Sequence, residues 1–236
     1  PPCIEGPDSE RFMEYVVTRC RESSVPVAVH LDHSPSFENC ARGIHLGCTS
    51  VMFDGSALPY EENVAITKKV VEMAHAAGVT VEAEIGHVSG HEGNMLDGNI
   101  ADESAFTTVE EAMQFYQDTQ VDCLAVAIGT VHGVYKGEPH LDLDRLQAIR
   151  DELPIPVVIH GGSGLKEKDY KELVAHGANK INFFTTMTLA ASEAVRKLLA
   201  EHDKLTMTDI IEVGQKAAED IVSEHIEIFG TKPLTK

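Results

Sequence analysis

Short runs of apolar, mostly β-branched residues recur along the chain, and longer amphipathic stretches separate them. Each run is almost continuously apolar rather than alternating, which is typical of parallel strands covered on both faces. We predict six strands, near residues 25–31, 49–53, 79–85, 121–128, 155–159 and 179–184. Because helical stretches separate the strands, the pattern indicates right-handed βαβ units within one parallel sheet.

The predicted helices have recognisable ends. Gly47, Gly78 and Gly177 each stand just before a predicted strand, where a glycine commonly ends the preceding helix. Thr108 and Glu111 have the spacing of a capping box at the start of a helix. Two further helices are predicted, at residues 8–22 and at about 208–229.

The six βα units fall short of the eight in a closed (β/α)8 TIM barrel, which typically needs about 250 residues. The sequence starts at Pro1, and a helix-like segment precedes its first predicted strand. We therefore expect an α/β fold, a (β/α)8 barrel whose first two βα units are absent from this sequence. Residues 1–236 would form a single domain, with the last helix packed on the barrel or on a neighbouring subunit. A doubly wound open sheet is the alternative.

The composition excludes several classes of partner. A net charge of −19 argues against nucleic acid, since phosphate backbones require a basic face. No run of about 18 apolar residues exists, so a membrane span is not expected, and the first residues lack the layout of a signal peptide. Five cysteines without a CxxC pair indicate reduced thiols in the cytoplasm.

Polar residues fill the carboxyl end of every predicted strand, which is where a βα barrel carries its active site. These ends read LDHS (31–34), FDGS (53–56), EAEIGH (82–87), GTVHG (129–133), HGGSG (160–164) and NFFTT (182–186). The opposite strand ends show no comparable pattern. We therefore look for catalysis, metal binding and substrate binding at these six segments.

Three strand ends offer a histidine, namely His33, His132 and His160. A catalytic zinc takes three protein ligands and keeps an open position, and imidazole is a common donor. Any one of these side chains alone is more readily explained as a hydrogen-bonded active-site residue. Three at equivalent positions favour a metal site. Contact with metal or substrate stays open for three loop histidines, His87, His91 and His140.

Four carboxylates accompany the predicted ligands. Asp32 is suited to exchange a proton with a substrate hydroxyl, and the alternative is that it only orients a histidine. Asp54 and Glu84 also end strands, and they either form an alternate metal position or hold the ligands. Glu92 lies in the long, glycine-rich loop at 87–99, where it is either a base delivered by loop closure or an ordinary solvated carboxylate.

The last two strand ends, at 160–164 and 182–186, have the composition of a phosphate site. Backbone N–H groups at a glycine-rich turn and at a helix N-terminus, together with Ser and Thr hydroxyls, bind anions. Gly133 and Lys136 on the preceding loop would add a donor and a charge. If the visible strands are numbers three to eight, this site falls where (β/α)8 barrels commonly bind phosphate.

A zinc beside a phosphate pocket suits chemistry on a phosphorylated α-hydroxyketone. The sequence also resembles the class II (zinc-dependent) ketose-bisphosphate aldolases, which cleave fructose or tagatose 1,6-bisphosphate. The resemblance runs from about residue 25 to 230, in the same order, and rests on the segments LDHS, SVMFDGS, VEAEIG, AVAIGTVHGVY and VVIHGGSG.

This resemblance implies a (β/α)8 barrel with one zinc per subunit, held by the three strand-end histidines. It implies Asp32 as the base at the C4 hydroxyl and Glu92 as the loop residue that exchanges the dihydroxyacetone phosphate proton. It further implies a nearby monovalent cation (Na⁺ or K⁺), a homodimer or homotetramer, and a role in carbohydrate metabolism such as glycolysis. The residues implied to hold the phosphate are Gly133, Gly161, Ser163, Asn182 and Thr185.

One departure concerns the last predicted helix, where relatives often carry arginine or lysine to meet the second phosphate. Here residues 223–227 read SEHIE, which is acidic. The resulting hypothesis is a ketose 1-phosphate whose aldehyde half is different or unphosphorylated. Two other functions stay open: a metal-dependent epimerase or isomerase of a sugar phosphate, and a metal-binding module without catalysis.

Overall fold

The computed structural model describes residues 4–90, 99–232 and 234. The strands are β1 His30–Ser34, β2 Ser50–Phe53, β3 Thr80–Ile85, β4 Cys123–Val126, β5 Val157–Ile159 and β6 Ala178–Ile181. The helices are α1 Ser9–Arg21, α2 Phe37–His45, α3 Tyr60–Ala76, α4 Val109–Thr119, α5 Leu143–Glu152, α6 Glu167–Ala175, α7 Thr185–Glu201 and α8 Met207–Ile228. A single-turn 3₁₀ helix, Glu103–Ala105, precedes α4.

Within these residues, six strands form one sheet whose spatial order is the order of the chain, from β1 to β6. The pairs from β1–β2 to β4–β5 are parallel, as predicted. A doubly wound sheet reverses its strand order part-way, at the point where its ligands bind. The uninterrupted order is instead that of consecutive βα units in a (β/α)8 barrel.

The bounds predicted for two strands were wrong. The first was predicted at 25–31, but β1 begins at His30, because the ladder starts where His30 pairs with Ser50. The apolar residues before it are not in the sheet, and Val25 is 62% exposed. The last strand was predicted to run to 184, whereas β6 ends at Ile181 and the chain turns directly into α7.

The predicted helix ends are confirmed. Thr108 and Glu111 form the capping box, in which each residue's side chain accepts a hydrogen bond from the other's backbone N–H. Gly47, Gly78 and Gly177 follow α2, α3 and α6 with φ of 96°, 70° and 106°, a conformation in which a side chain would be strained. The final helix, predicted at about 208–229, agrees with α8 to within one residue.

The described residues fall into two compact units. The first comprises the described parts of Pro1–His87, Ala105–Ala127 and Ala148–Val158. Its core is made by apolar residues of β2, β3 and β4, among them Phe53 and Leu124, which are fully buried. Two carboxylates of β3, Glu82 and Glu84, are also buried, at 1% exposure each. Burial of a charged carboxylate is costly unless the group is paired, so the residues that surround Glu82 and Glu84 are described below with the candidate site.

The second unit comprises the described parts of Val88–Ser104, Ile128–Gln147 and Ile159–Lys236. His225 of α8 is buried here and stacks on Phe183, with ring centroids 4.3 Å apart and an interplanar angle of 17°. The acidic segment predicted at 223–227 thus turns its histidine inward, while Glu224 and Glu227 are exposed. Among the described helices, none combines the length and apolarity that a membrane crossing requires.

Candidate active site

The end of β1 is irregular where it carries Asp32 and His33. The register with β2 shifts between Leu31 and Ser34, and His33 has a φ of 46°, which is uncommon outside glycine. A β-bulge of this kind re-aims side chains and is common beside active sites. The local geometry therefore marks the segment that the sequence pattern singled out.

His33 is oriented by Asp54. Its Nδ1 lies 2.8 Å from Asp54 Oδ2, and Asp54 Oδ1 accepts hydrogen bonds from the backbone and side chain of Ser56. With the Nδ1 proton directed at a carboxylate, Nε2 carries the lone pair that a metal needs. Of the two roles left open for Asp54, this contact favours the one that holds a predicted ligand, and a metal-binding role for Asp54 stays a prediction.

The same contact shifts both pKa values. Burial lowers the pKa of His33, but the hydrogen bond to Asp54 and the charges of Asp32, Glu84 and Asp54 outweigh it, and the pKa rises from 6.5 to about 9. Burial raises the pKa of Asp54, but hydrogen bonds from His33 and Ser56 outweigh it and hold this pKa well below its usual range. In the metal-free protein the two groups therefore form an ion pair at neutral pH.

Two clusters of the first unit have a composition that can bind a cation. In each, the candidate ligand atoms lie within 4.8 Å of one another. The clusters are His33, Asp54 and Glu84, and His30, Asp32 and Glu82. The first contains the alternate metal position that the sequence predicted at Asp54 and Glu84.

The second cluster places His30, to which the sequence gave no role, beside the predicted base. His30 Nε2 lies 3.6 Å from Asp32 Oδ1 and 3.8 Å from Glu82 Oε2, while its Nδ1 lies 2.8 Å from Ser50 Oγ. The side chain of Asp32 is 34% exposed, whereas that of Glu82 is 1% exposed. Of these two carboxylates, Asp32 is thus the one that a substrate can reach.

The second unit brings His132 and His160 together. Their ring centroids are 5.8 Å apart, and the two residues are 5% and 0% exposed. Nδ1 of His132 lies 3.3 Å from the Val88 carbonyl oxygen, which fixes Nε2 as its lone-pair nitrogen. The side-chain amide of Asn182 lies 3.3 Å from Nε2 of His160.

Ser89 and Asn99, which lie near the two ends of the long segment at 87–99, are hydrogen-bonded to the backbone of His132. The backbone N–H of His132 donates to the Ser89 carbonyl at 2.8 Å, and the Asn99 side chain donates to the His132 carbonyl at 2.8 Å. The predicted loop base Glu92 and His91 lie outside the described residues. Ser89 and Asn99 are therefore both hydrogen-bonded to a predicted metal ligand.

The two predicted phosphate loops also meet in the second unit. Ser163 Oγ accepts hydrogen bonds from the backbone N–H groups of Phe184 and Thr186, at 3.1 and 3.3 Å, where α7 begins. The N–H of Gly162 donates to the Asn182 carbonyl at 2.9 Å. Thr185, the first residue of α7, is 2% exposed. This joins a glycine-rich turn to a helix N-terminus, as an anion site requires.

The loop after β4 carries the other two residues predicted to meet the phosphate. Gly133 is buried with a φ of 81°, and the side chain of Lys136 is exposed. The backbone N–H of Lys136 donates to the Asn99 carbonyl at 2.9 Å. Contact of either residue with a phosphate stays a prediction.

Sequence reasoning missed two residues that shape this region, Asn99 and Tyr135. Asn99 holds the His132 loop through its side chain and backbone, and the hydroxyl of Tyr135 contacts the backbone beside both buried histidines. The only sequence signal for Tyr135 was its place in the segment GTVHGVY. Its contacts depend on chain folding, so a linear pattern does not contain them.

Comparison with known proteins assigns the chain to a family. The family model described as "Fructose-bisphosphate aldolase class-II" matches residues 6–233. The chain belongs to this family. Class II aldolases are carbon–carbon lyases and are generally metal-dependent, so the epimerase, isomerase and non-catalytic alternatives are set aside.

Individual relatives agree with the assignment. A protein of Bacillus subtilis (strain 168) named "Probable fructose-bisphosphate aldolase" is 42% identical over 219 residues, covering 92% of this chain and 73% of that protein. A "Fructose-bisphosphate aldolase" of Staphylococcus aureus (strain Mu50) is 42% identical over 215 residues, covering 90% and 73%.

The fold is likewise that of solved aldolases. The crystal structure of the YdjI aldolase from Escherichia coli K12 has a TM-score of 0.84 and 32% identity, covering 98% of this chain and 79% of that one. A putative fructose-1,6-biphosphate aldolase from Coccidioides immitis has a TM-score of 0.80 and 27% identity, covering 94% and 77%. Together with the strand order, these matches confirm the predicted (β/α)8 class, of which the described residues supply six strands.

Proposed function

We propose that this aldolase catalyses reversible, zinc-dependent cleavage of a ketose 1,6-bisphosphate of the fructose or tagatose type. The products are dihydroxyacetone phosphate and an aldehyde such as glyceraldehyde 3-phosphate. The observation that carries the proposal is the buried pair His132–His160, which adjoins an anion-binding turn in a chain of the class II family.

Zinc is proposed to bind His33, His132 and His160. The donor chemistry fits, because hydrogen bonds at Nδ1 of His33 and of His132 leave Nε2 of each as the coordinating nitrogen. Three neutral imidazoles with an open fourth position form a common catalytic zinc site. When bound, the zinc supplies a Lewis acid that polarises the ketose carbonyl.

Asp32 is proposed to accept the proton of the C4 hydroxyl. As the C4 oxygen becomes the aldehyde carbonyl, the C3–C4 bond breaks and its electron pair stays on C3 of the dihydroxyacetone phosphate half. The carboxylate suits this task, because it is partly exposed and has the imidazole of His30 at 3.6 Å. A positioned general base of this kind contributes about 10²–10⁴-fold to the rate.

Glu92 is proposed to return a proton to C3 and so complete dihydroxyacetone phosphate. It is two residues from Gly90, in a loop whose described flanks are hydrogen-bonded to His132. A loop that closes over the site also excludes water, which would otherwise protonate the carbanion without control.

The phosphate of the ketose half is proposed to bind at Gly133, Lys136, Gly161, Ser163, Asn182 and Thr185. The hydrogen bonds to Ser163 hold the glycine-rich turn against the N-terminus of α7, whose dipole favours an anion without requiring a basic surface. A nearby Na⁺ or K⁺ would offset the remaining phosphate charge.

We further propose one domain over residues 1–236, acting in the cytoplasm as a homodimer or homotetramer in carbohydrate metabolism such as glycolysis. Light scattering of the purified protein measures its mass. A monomer at micromolar concentration would contradict the oligomer.

The alternative function differs in the aldehyde half of the ketose substrate. Glu224 and Glu227 of α8 are exposed on either side of buried His225, in the helix where relatives often carry a basic residue. The alternative function that this acidic segment favours is an aldolase of a related ketose 1-phosphate, which would accept aldehydes with no phosphate. Condensation of dihydroxyacetone phosphate with a panel of aldehydes tests this, and a strong preference for glyceraldehyde 3-phosphate would exclude it.

The decisive test couples formation of dihydroxyacetone phosphate from fructose and tagatose bisphosphates to a dehydrogenase. We expect activity with zinc, none after complete chelation, and recovery when zinc is added back. His132→Ala should lose both zinc and activity. His202→Ala, which removes an exposed histidine directly after α7, is the matched control and should retain both. Activity that survives full metal removal would refute the mechanism.

A further inference from the structure

The hydroxyl of Tyr135 bridges the two strand ends that carry the buried histidines. It donates a hydrogen bond to the Gly161 carbonyl at 2.8 Å and accepts one from the Val131 N–H at 3.3 Å. Val131 directly precedes His132, and Gly161 directly follows His160. A single oxygen atom therefore joins the backbone beside one histidine to the backbone beside the other.

The two backbones that it joins are in close contact. Gly161 has a φ of 70°, and a Cβ at this position would come within 2.4 Å of the Val131 carbonyl oxygen. Val131 is fully buried, and Gly161 is buried as well. A backbone N–H or C=O that loses its partner in such a place costs about 1–3 kcal/mol, so the bridge resists separation of the strand ends.

Tyr135 is itself held in place. The backbone N–H of Asn99 donates to the Val134 carbonyl at 2.8 Å, and Asn99 forms an isolated parallel β-bridge with Tyr135. Burial also raises the pKa of Tyr135 above its already high usual value, so the hydroxyl keeps its proton at any pH at which the enzyme works. The bridge is thus a fixed, permanently protonated link.

We propose that Tyr135 is a positioning residue that sets the spacing between His132 and His160 and thereby the affinity of the site for its metal. The inference rests on the proposed function, in which these two histidines are zinc ligands. It assigns no contact between Tyr135 and the substrate. Removal of the hydroxyl should loosen the ligand pair before any substrate binds.

The test compares zinc affinity in three Tyr→Phe variants of the metal-free protein, by competition with a chromogenic chelator. We expect Tyr135→Phe to weaken zinc binding roughly tenfold or more, the scale of losses when groups that orient a ligand are removed. Tyr15→Phe, at an exposed position of α1, should bind zinc like the wild type.

Tyr170→Phe is the structural control, because it also removes a buried hydroxyl bond, the one from Tyr170 to the Gly162 carbonyl at 2.6 Å. It should leave zinc affinity unchanged and raise KM for the phosphorylated substrate instead. The visible spectrum of the cobalt-loaded protein is a second readout, and its bands should shift in Tyr135→Phe but not in Tyr170→Phe.

The outcomes distinguish an error in the proposed zinc site from an error in the role proposed for Tyr135. If His132→Ala binds zinc as tightly as the wild type, the proposed metal site itself is wrong. If His132→Ala loses zinc but Tyr135→Phe keeps wild-type affinity and cobalt spectrum, the metal site stands and the positioning role is overturned. If Tyr135→Phe and Tyr170→Phe lost zinc affinity equally, general destabilisation would explain the loss, and the positioning role would again be overturned.

Discussion

The strand ends of the first unit and those of the second unit carry different types of chemical group. Those of the first are rich in ionisable groups, with Asp32, Asp54 and Glu84 around a histidine whose pKa is strongly raised. Those of the second present glycines, hydroxyls and backbone N–H groups, with two histidines held by neutral contacts. The chain thus separates residues suited to proton transfer from residues suited to anion binding.

The difference follows from what each task requires. A base needs a carboxylate that the substrate can reach, and Asp32 is partly exposed beside the imidazole of His30. A phosphate needs donors that are fixed in advance and carry no carboxylate charge, and a helix N-terminus beside a glycine-rich turn provides them. If this division is correct, substitution of Asp32 changes kcat, and substitution in the turn at Ser163 changes substrate binding.

Asp32→Asn should give the largest effect and is the sharpest test of the first half of the comparison. The amide cannot accept the C4 hydroxyl proton, so we expect kcat to fall by about 10²–10⁴-fold. Steady-state kinetics should show little change in KM, and the zinc content should stay at one per subunit. Asp144→Asn, at an exposed position of α5, is the control. A kcat within a few-fold of wild type would mean that another group is the base.

Ser163→Ala should give an intermediate effect and tests the second half. It removes the oxygen that accepts from the first N–H groups of α7, so the turn and the helix are no longer held together. A loss of about 1–1.5 kcal/mol, the cost of removing a helix-capping hydroxyl, would raise KM roughly tenfold. Ser192→Ala, at an exposed position of the same helix, should change nothing. A pure kcat defect in Ser163→Ala would contradict the division.

Asp54→Asn should change catalysis least and acts on stability, which is best measured by urea unfolding of the metal-free protein. The raised pKa of His33 stabilises the fold fully below 6.5 and ceases to do so as pH rises through about 9. The lowered pKa of Asp54 stabilises it above the ordinary carboxyl value of 3.8 and ceases to do so as pH falls through its folded value. We therefore expect Asp54→Asn to cost about 1.5–3 kcal/mol between these limits and little above pH 9.

A double-mutant cycle with His33→Gln supplies the control for that prediction. If the two residues act as a pair, the double variant should be no less stable than either single variant. Independent, additive losses that do not vary with pH would show that the ion pair does not contribute.

Much of the fold could be predicted because strand and helix periodicity is a local property. The six strands, their parallel arrangement and the capping box at Thr108 all follow from short segments of sequence. The start of β1 was predicted wrongly because an apolar run shows only which residues are able to enter a sheet. Where the ladder begins depends on the partner strand, here at the His30–Ser50 pair.

The candidate site divides in the same way. The polar strand ends identified Asp32, His33, His132 and His160 as chemistry-bearing residues, because a parallel sheet gathers its carboxyl ends at one edge. The sequence left the role of Asp54 open, and only the tertiary structure shows its 2.8 Å contact with Nδ1 of His33, which favours an orienting role.

By itself, then, the sequence determined the fold class, the strand order and the residue types at each strand end, since these depend on local pattern and on family motifs. Tertiary structure alone decided which atoms of those residues face one another. Asp54 reaches His33 across 21 positions of the chain, and Tyr135 reaches Gly161 across 26. Hydrogen bonds between distant segments orient His33 and join the backbone beside the two buried histidines, and no linear pattern encodes such distances.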